Sequence, residues 1–286
     1  MEKRALTGVD LLHVPGSGAS WTTWSLDPSV IFGAVVVLAL YAVGVRSVAA
    51  SDPAERAVLP RRAASFAVGV ALIVLALVSP LDALTDDLLS LHMLQHVVLA
   101  TLAPPLVILG LPPGLVRWLL RRGAVDRAVR LLTLPFVAAA LFIVNMWAWH
   151  APPLYEAALL HESVHIGQHL AFIATGLLFW WPIIEPVAER AAMGTGGRLL
   201  YVFVTGFPMG ILALLLVSAQ SPAYGFYADR GVLWGISPLA DQQIAGVIMG
   251  AIGEGASFVA FTVLFLRFMA SEEEVVAPAS PGAVPR

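Results

Sequence analysis

The chain contains no cysteine and has little charge. The missing cysteine, across 286 residues, excludes structural disulfides, thiolate metal sites and thiol catalysis together. Charged residues make up only 12% and apolar residues 59%, against about 25% and about 45–50% in ordinary soluble domains. The chain is therefore too apolar for that class. Its net charge of −3 implies neither nucleic-acid binding nor a preference for acidic substrates. Met1 to Asp27 is polar and lacks an apolar core, so no signal peptide is expected there. No internal repeat is evident, which argues against an inverted-repeat transporter.

What is abundant is long apolar runs. They fall at Val30–Val45, Ala63–Ser79, Leu88–Leu109, Leu132–Trp149, His165–Ile184, Leu199–Ser218 and Ile244–Phe268. Crossing a hydrocarbon core takes roughly 20 mostly apolar residues as helix, so the expected fold is all-α: a polytopic membrane bundle of about seven transmembrane helices. With the N-terminus outside, the inner segments collect Arg46, Arg56, Arg61, Arg62, Arg117, Arg121, Arg122, Arg127, Arg130, Arg190, Arg198, Arg267 and Arg286. The outer segments keep Lys3, Arg4 and Arg230. Thirteen basic residues against three predict an N-out, C-in orientation by the positive-inside rule.

Within that frame, residues 1–29 form an outer segment, 30–269 the seven-helix domain, and 270–286 a cytoplasmic tail. The tail's Glu272–Glu274 and its Pro and Ala content predict disorder. Residues 114–130 alternate arginines with Leu115, Val116, Trp118, Leu119, Leu120, Val125 and Val129. That pattern predicts a basic amphipathic helix on the cytoplasmic surface, drawn to anionic headgroups of the lipid bilayer. A solvated positive loop is the alternative. Trp21, Trp24, Trp180 and Trp181 near span ends read as interfacial anchors.

Six of the seven histidines lie at ends of spans that the arginines put outside. His92 and His96 open the third span, His150 closes the fourth, and His161, His165 and His169 run into the fifth. Residues four apart are about 40° apart on a helix and about 6 Å along it. His92/His96 and His165/His169 can thus each present two imidazoles to the bundle interior, where ionisable groups at membrane depth usually face. Imidazole suits copper, zinc, iron and nickel. His161 and His169 are about 12 Å apart along a helix, too far to share one ion, so one of this trio is a second site, an entry ligand or a proton carrier. A single histidine at a helix end is more often a hydrogen-bonding interfacial residue. Two such pairs with His150 on one side favour a metal or cofactor.

Ligating imidazoles need partners on their second nitrogen, and Glu162, Gln95, Gln168, Asp82, Asp86 and Asp87 stand at the same ends. Met93 adjoins His92, Met146 lies one turn from His150, and Met249 lies about two turns beyond Asp241. Met209 follows Pro208 at an expected kink. Thioether with imidazole and without thiolate suits copper(I), although methionine is also ordinary core filler.

Several stretches together resemble the CtaG-type membrane assembly factors of bacterial caa-type cytochrome c oxidases. They are Trp24-Ser-Leu-Asp-Pro28, Tyr41 to Gly44, His92-Met-Leu-Gln-His96, Ala103-Pro-Pro-Leu106 and Gly110. Further along come Trp149-His-Ala-Pro-Pro-Leu-Tyr-Glu-Ala-Ala-Leu159, Val164-His-Ile-Gly-Gln-His169, Gly176-Leu-Leu-Phe-Trp-Trp-Pro182 and Asp241-Gln-Gln-Ile-Ala-Gly-Val-Ile-Met249. The resemblance covers about Trp24 to Phe268. It implies a non-enzymatic assembly factor of the bacterial cytoplasmic membrane that takes copper from a periplasmic donor and hands it to a haem-copper oxidase subunit. The residues it points to are His92, His96, His150, His165 and His169, with Met93 and Met249. His161 lies outside the family motifs, and Gln168 stands where an acidic residue is common.

Two other readings remain at this level. One is an intramembrane zinc hydrolase: His161-Glu-Ser-Val-His165 has the His-Glu-x-x-His spacing of zinc proteases. In that reading Ser90, Asp82, Ser163 or Glu162 would serve as acid, base or oxyanion helper. The other is a haem protein with paired histidines as axial ligands.

Overall fold

The computed structural model describes residues 20–51 and 53–276. Helices α1 (Pro28–Ser51) and α2 (Pro53–Val78) come first, each opened by proline at its first position, where the missing N–H costs nothing. The Asp27 carboxylate caps α1 by accepting from the Ser29 N–H at 2.7 Å. After the short α3 (Pro80–Ala83) comes a bent span. It consists of α4 (Leu89–Val97), a π-helical segment over Val98–Leu102 and α5 (Ala103–Leu109). Next are α6 (Pro113–Leu119), α7 (Gly123–Leu132), α8 (Pro135–His150), α9 (Pro152–Leu160) and α10 (Glu162–Ile184). The chain continues through α11 (Thr195–Ser218) and α12 (Gly225–Ala228). It then enters a last span built of α13 (Pro238–Ile248), a second π segment over Met249–Gly253 and α14 (Glu254–Val276). Among the described residues the sole β feature is one bridge between Leu233 and Ile236.

Among the described residues, six helical stretches are long and apolar enough to cross a membrane, and a seventh arises if α7 and α8, bent by 66°, count as one. The expected all-α polytopic bundle is thus what forms. The fourth span starts later than the sequence reading placed it, because Pro135 opens a new helix after the bend. Residues 114–130 are two helices rather than one, α6 and α7, broken around Arg121 and Arg122. Helix α14 runs through Val276, past the point where a disordered tail was expected. The rest of that tail, like most of the outer N-terminal segment, lies outside the described residues. Trp180 is not an anchor but a core residue packed against Phe179, while Trp21 and Trp24 are exposed.

The Leu89–Leu109 span is the centre of the bundle, with 61% of its most apolar window buried, against none for α1. Exposed Phe32, Leu40, Phe258 and Leu266 on α1 and α14 make the apolar outer surface that a hydrocarbon environment requires. α1 docks through a Tyr41–Phe66 stack at 3.9 Å and a hydrogen bond from the Tyr41 hydroxyl to the Gly110 carbonyl at 2.8 Å.

The two ends of the bundle differ in chemistry. At the end where α5 and α10 finish, Arg62 donates to the carbonyls of Leu109 and Leu111, Arg198 to that of Ile183, and Arg117 to Glu189 and Glu55. The starts of α4 and α10 carry the histidines instead.

One close approach sets the spacing of those two histidine helices. An α-turn or π-turn would satisfy the Ala100 carbonyl with the N–H of residue 104 or 105, and both are proline. The π segment occupies this place, and a Cβ at Gly176 of α10 would lie 2.3 Å from the Ala100 oxygen. No side chain fits there. Gly176→Val is expected to force α10 outward at an overpacking cost of about 1–3 kcal/mol. Thermal unfolding in detergent should show a lowered midpoint; an unchanged midpoint would mean that the helices separate freely.

Candidate metal centre

Helices α4 and α10 carry the same five-residue pattern, His92-x-x-Gln95-His96 and His165-x-x-Gln168-His169. All six side chains are buried on facing stripes, as the i, i+3, i+4 geometry of a helix allows. One ring nitrogen from each of the four histidines falls within a group whose members all lie within 4.8 Å of one another. His92 Nε2 and His165 Nε2 are 3.3 Å apart. A tetrahedral ion with nitrogen ligands at about 2.0–2.1 Å has edges of about 3.3–3.4 Å. One edge of such a site is therefore already at its final length.

The hydrogen bonds around His92 aim its lone pair inward. The Tyr227 hydroxyl donates its proton to the Thr85 carbonyl at 2.7 Å. His92 Nδ1, 2.8 Å from the same oxygen, must then be the donor in that contact, which leaves Nε2 unprotonated. Burial, with the negative charge of Asp86, raises the Tyr227 phenol well above its ordinary range, so it stays a donor. Fixing the tautomer through the second nitrogen is how metal-ligating histidines are usually oriented.

Helix α4 itself is held from the last span. The Asp241 carboxylate accepts from the N–H groups of Leu89 (2.6 Å) and Ser90 (3.1 Å), capping α4 from α13; a cap of this kind contributes about 1 kcal/mol. Gln95 Nε2 donates to the Ala76 carbonyl and to Asp82, each at 2.8 Å, and Ser25 donates to the other Asp82 oxygen at 2.5 Å. Asp82 thus steadies the helix through Gln95. Asp87 pairs with Arg230 at 3.2 Å. Tyr155 of α9 and Phe172 of α10, both fully buried, wall the cluster, with ring centroids 5.4 Å from His92 and 4.5 Å from His96.

Inside this wall the polar capacity exceeds what the protein satisfies. Both ring nitrogens of His96 and both amide atoms of Gln168 are buried without a hydrogen-bond partner among the described residues. Buried polar atoms seldom stay so, and four imidazoles converging on one place form a donor set that fits a d-block cation.

His150 stands beside the four. Its Nδ1 donates to the Met146 carbonyl at 2.7 Å, so Nε2 carries the lone pair, and that atom faces the Met93 sulfur at 3.4 Å. Tyr224 holds the His150 carbonyl with a 3.0 Å hydrogen bond. One nitrogen and one thioether facing each other make a donor set chemically suited to a soft cation.

His161 does not join. It is exposed at the start of α10 with extended dihedrals (φ −134°, ψ 109°), and Glu162 is exposed too. The His-Glu-x-x-His spacing therefore straddles a helix start instead of lying on one face, and the protease arrangement does not form. Met249 lines a cavity with Met146, Met209 and Glu254 and is not one of the residues shown to contact the four imidazoles. Sequence reasoning missed the orienting Tyr227, the walling Tyr155 and the capping role of Asp241. The repeated His-x-x-Gln-His pattern was the legible signal that both helices present equivalent faces.

Tyr227→Phe removes the acceptor for His92 and should weaken metal binding about 10- to 100-fold without altering the helical content. Competition against a chromophoric chelator measures this; wild-type affinity would show that the relay does not orient the ring.

Comparison with known proteins bears on what this site serves. The chain is 27% identical over 272 residues to uncharacterized proteins of Mycobacterium bovis and Mycobacterium tuberculosis, covering 86% of this chain and 39% of each relative. An uncharacterized protein of Mycobacterium leprae is 25% identical over 293 residues, covering 94% of this chain and 43% of its own length. The chain thus spans about two fifths of the length of these curated relatives. No solved structure matches it. The sequence profile described as cytochrome c oxidase caa3 assembly factor (Caa3_CtaG) matches residues 39–271, so the chain belongs to the caa3-type cytochrome c oxidase assembly factor family.

Proposed function

We propose that this membrane protein carries copper for the assembly of a haem-copper oxidase, binding it on His92, His96, His165 and His169 and passing it to an oxidase subunit. The observation that carries this reading is the convergence of four buried imidazoles, all within 4.8 Å of one another. Such a set also accepts zinc. Copper is favoured by the thioether of Met93 against His150, by the absence of thiolate, and by the family's association with an enzyme that needs copper. Neutral imidazole and thioether hold copper(I) without the tenacity of thiolate, which suits a protein that must release its cargo. The distribution of arginines supports an orientation with the cluster toward the outer side of a bacterial cytoplasmic membrane. A periplasmic copper donor would then load it, and the surrounding bilayer would bring the recipient alongside.

The two other readings fit the geometry less well. A catalytic zinc site keeps an open position for water beside three protein ligands, whereas here four imidazoles converge and His161 stays outside. Haem ligated between two histidines needs room for the macrocycle between them, and the 3.3 Å separation of His92 and His165 leaves none.

Replacing His165 and His169 together by alanine should empty the four-histidine cluster of metal while the protein still inserts in the membrane. Metal analysis of the purified variant reads the first effect. The copper content of an oxidase matured in its presence, expected to fall several-fold, reads the handover. Full metal retention, or an oxidase with its normal copper, would overturn the proposal. Because ligating imidazoles must be unprotonated, affinity should also fall on acidification, as protons compete for the ring nitrogens.

A further inference from the structure

Deeper in the bundle lies a cavity of about 30 Å³. That is room for an ion and not for an organic substrate. Its lining residues include Met146, Met209, Met249, Thr101 and Glu254. Among the described residues, no lysine, arginine or histidine lines it.

The donors reach one cavity because the backbone departs from the α-helix at this place. Positions five apart on an α-helix point about 140° away from each other. Met249 opens the π segment of the last span, and Glu254 directly follows it. A widened turn, bonded from i to i+5, rotates two such residues toward a common side. The facing wall uses Val97 and Thr101, at and within the other π segment, Val98–Leu102. Two π segments at one cavity are a local cost to the helices, and such segments concentrate at functional sites.

Glu254 has neither a hydrogen bond nor an ion pair among the described residues. A carboxylate at membrane depth is costly unless neutralised, and three thioethers beside it select a soft cation. The donors are also continuous with the histidine cluster. Met93 follows His92 on α4, its sulfur faces His150, and His150 bonds the backbone of Met146, whose side chain lines the cavity.

We propose that this cavity is a second copper(I) site, built from Met146, Met209, Met249 and Glu254 and reached from the four-histidine cluster through the Met93–His150 pair. The proposal rests on the copper reading of that cluster. It gives the protein two stations in series, one of nitrogen donors and one of sulfur and carboxylate donors.

Anaerobic titration of the full chain in detergent with copper(I), against a chromophoric copper(I) chelator, tests it. Wild type is expected to bind two ions. Met209→Leu with Met249→Leu, a volume-conserving pair, should bind one, and Glu254→Gln should weaken the second ion at least tenfold. His165→Ala with His169→Ala should keep one ion, with sulfur as well as light-atom neighbours in its X-ray absorption spectrum. A single ion in wild type, or two undiminished ions in both the methionine and the Glu254→Gln variants, overturns the second site and leaves the first untouched. An unchanged count in the histidine variant overturns the cluster reading instead.

Discussion

The distance between α10 and the Leu89–Leu109 helix governs everything at the site, and a backbone carbonyl governs that distance. Pro104 and Pro105 leave the Ala100 oxygen without its helical donors, and Gly176 of α10 comes up against that oxygen with no side chain between them. This lets two pairs of imidazoles, one on each helix, face each other at ligand-to-ligand separation. A single methyl group at Gly176 would occupy space already taken by backbone, and backbone yields much less readily than the end of a side chain.

Around that contact, each support works on a different degree of freedom. Asp241 fixes where α4 begins, by satisfying two of its first N–H groups from another span. Gln95 and Asp82 tie α4 to α2 and to Ser25. Tyr227 sets which nitrogen of His92 carries the proton, and Tyr155 and Phe172 keep the cluster inside an aromatic wall. Elements from α2 to α13 therefore support one set of ring nitrogens carried by α4 and α10. The soft donors lie to the inner side of this set, where Met93 meets His150 and the methionine cavity follows.

Much of the architecture was readable beforehand because membrane physics leaves few choices. An apolar run of about 20 residues must be a helix when its backbone cannot be solvated, and arginine placement divides the two ends. The runs ending at Leu109, Ile184 and Ser218 match helix ends in the structure. Misreadings occurred where local chemistry decided. Pro135 shortened the fourth span, the turn near Arg121 split the amphipathic segment, and Trp180 turned inward to pack on Phe179 instead of marking an interface.

At the site, the sequence by itself determined which residues can act. The four-residue spacing of His92/His96 and of His165/His169 follows from the helical period, so each pair had to share a face. Membership of the cluster was decided only by the tertiary structure. His161 has the same spacing to His165, yet it sits one residue outside α10, where the backbone is extended and the face is lost. Met249 lies in a family-like motif, yet a π segment turns it toward a cavity with Glu254. Spacing reports angles within one helix, and only the packing of helices against one another decides which faces meet.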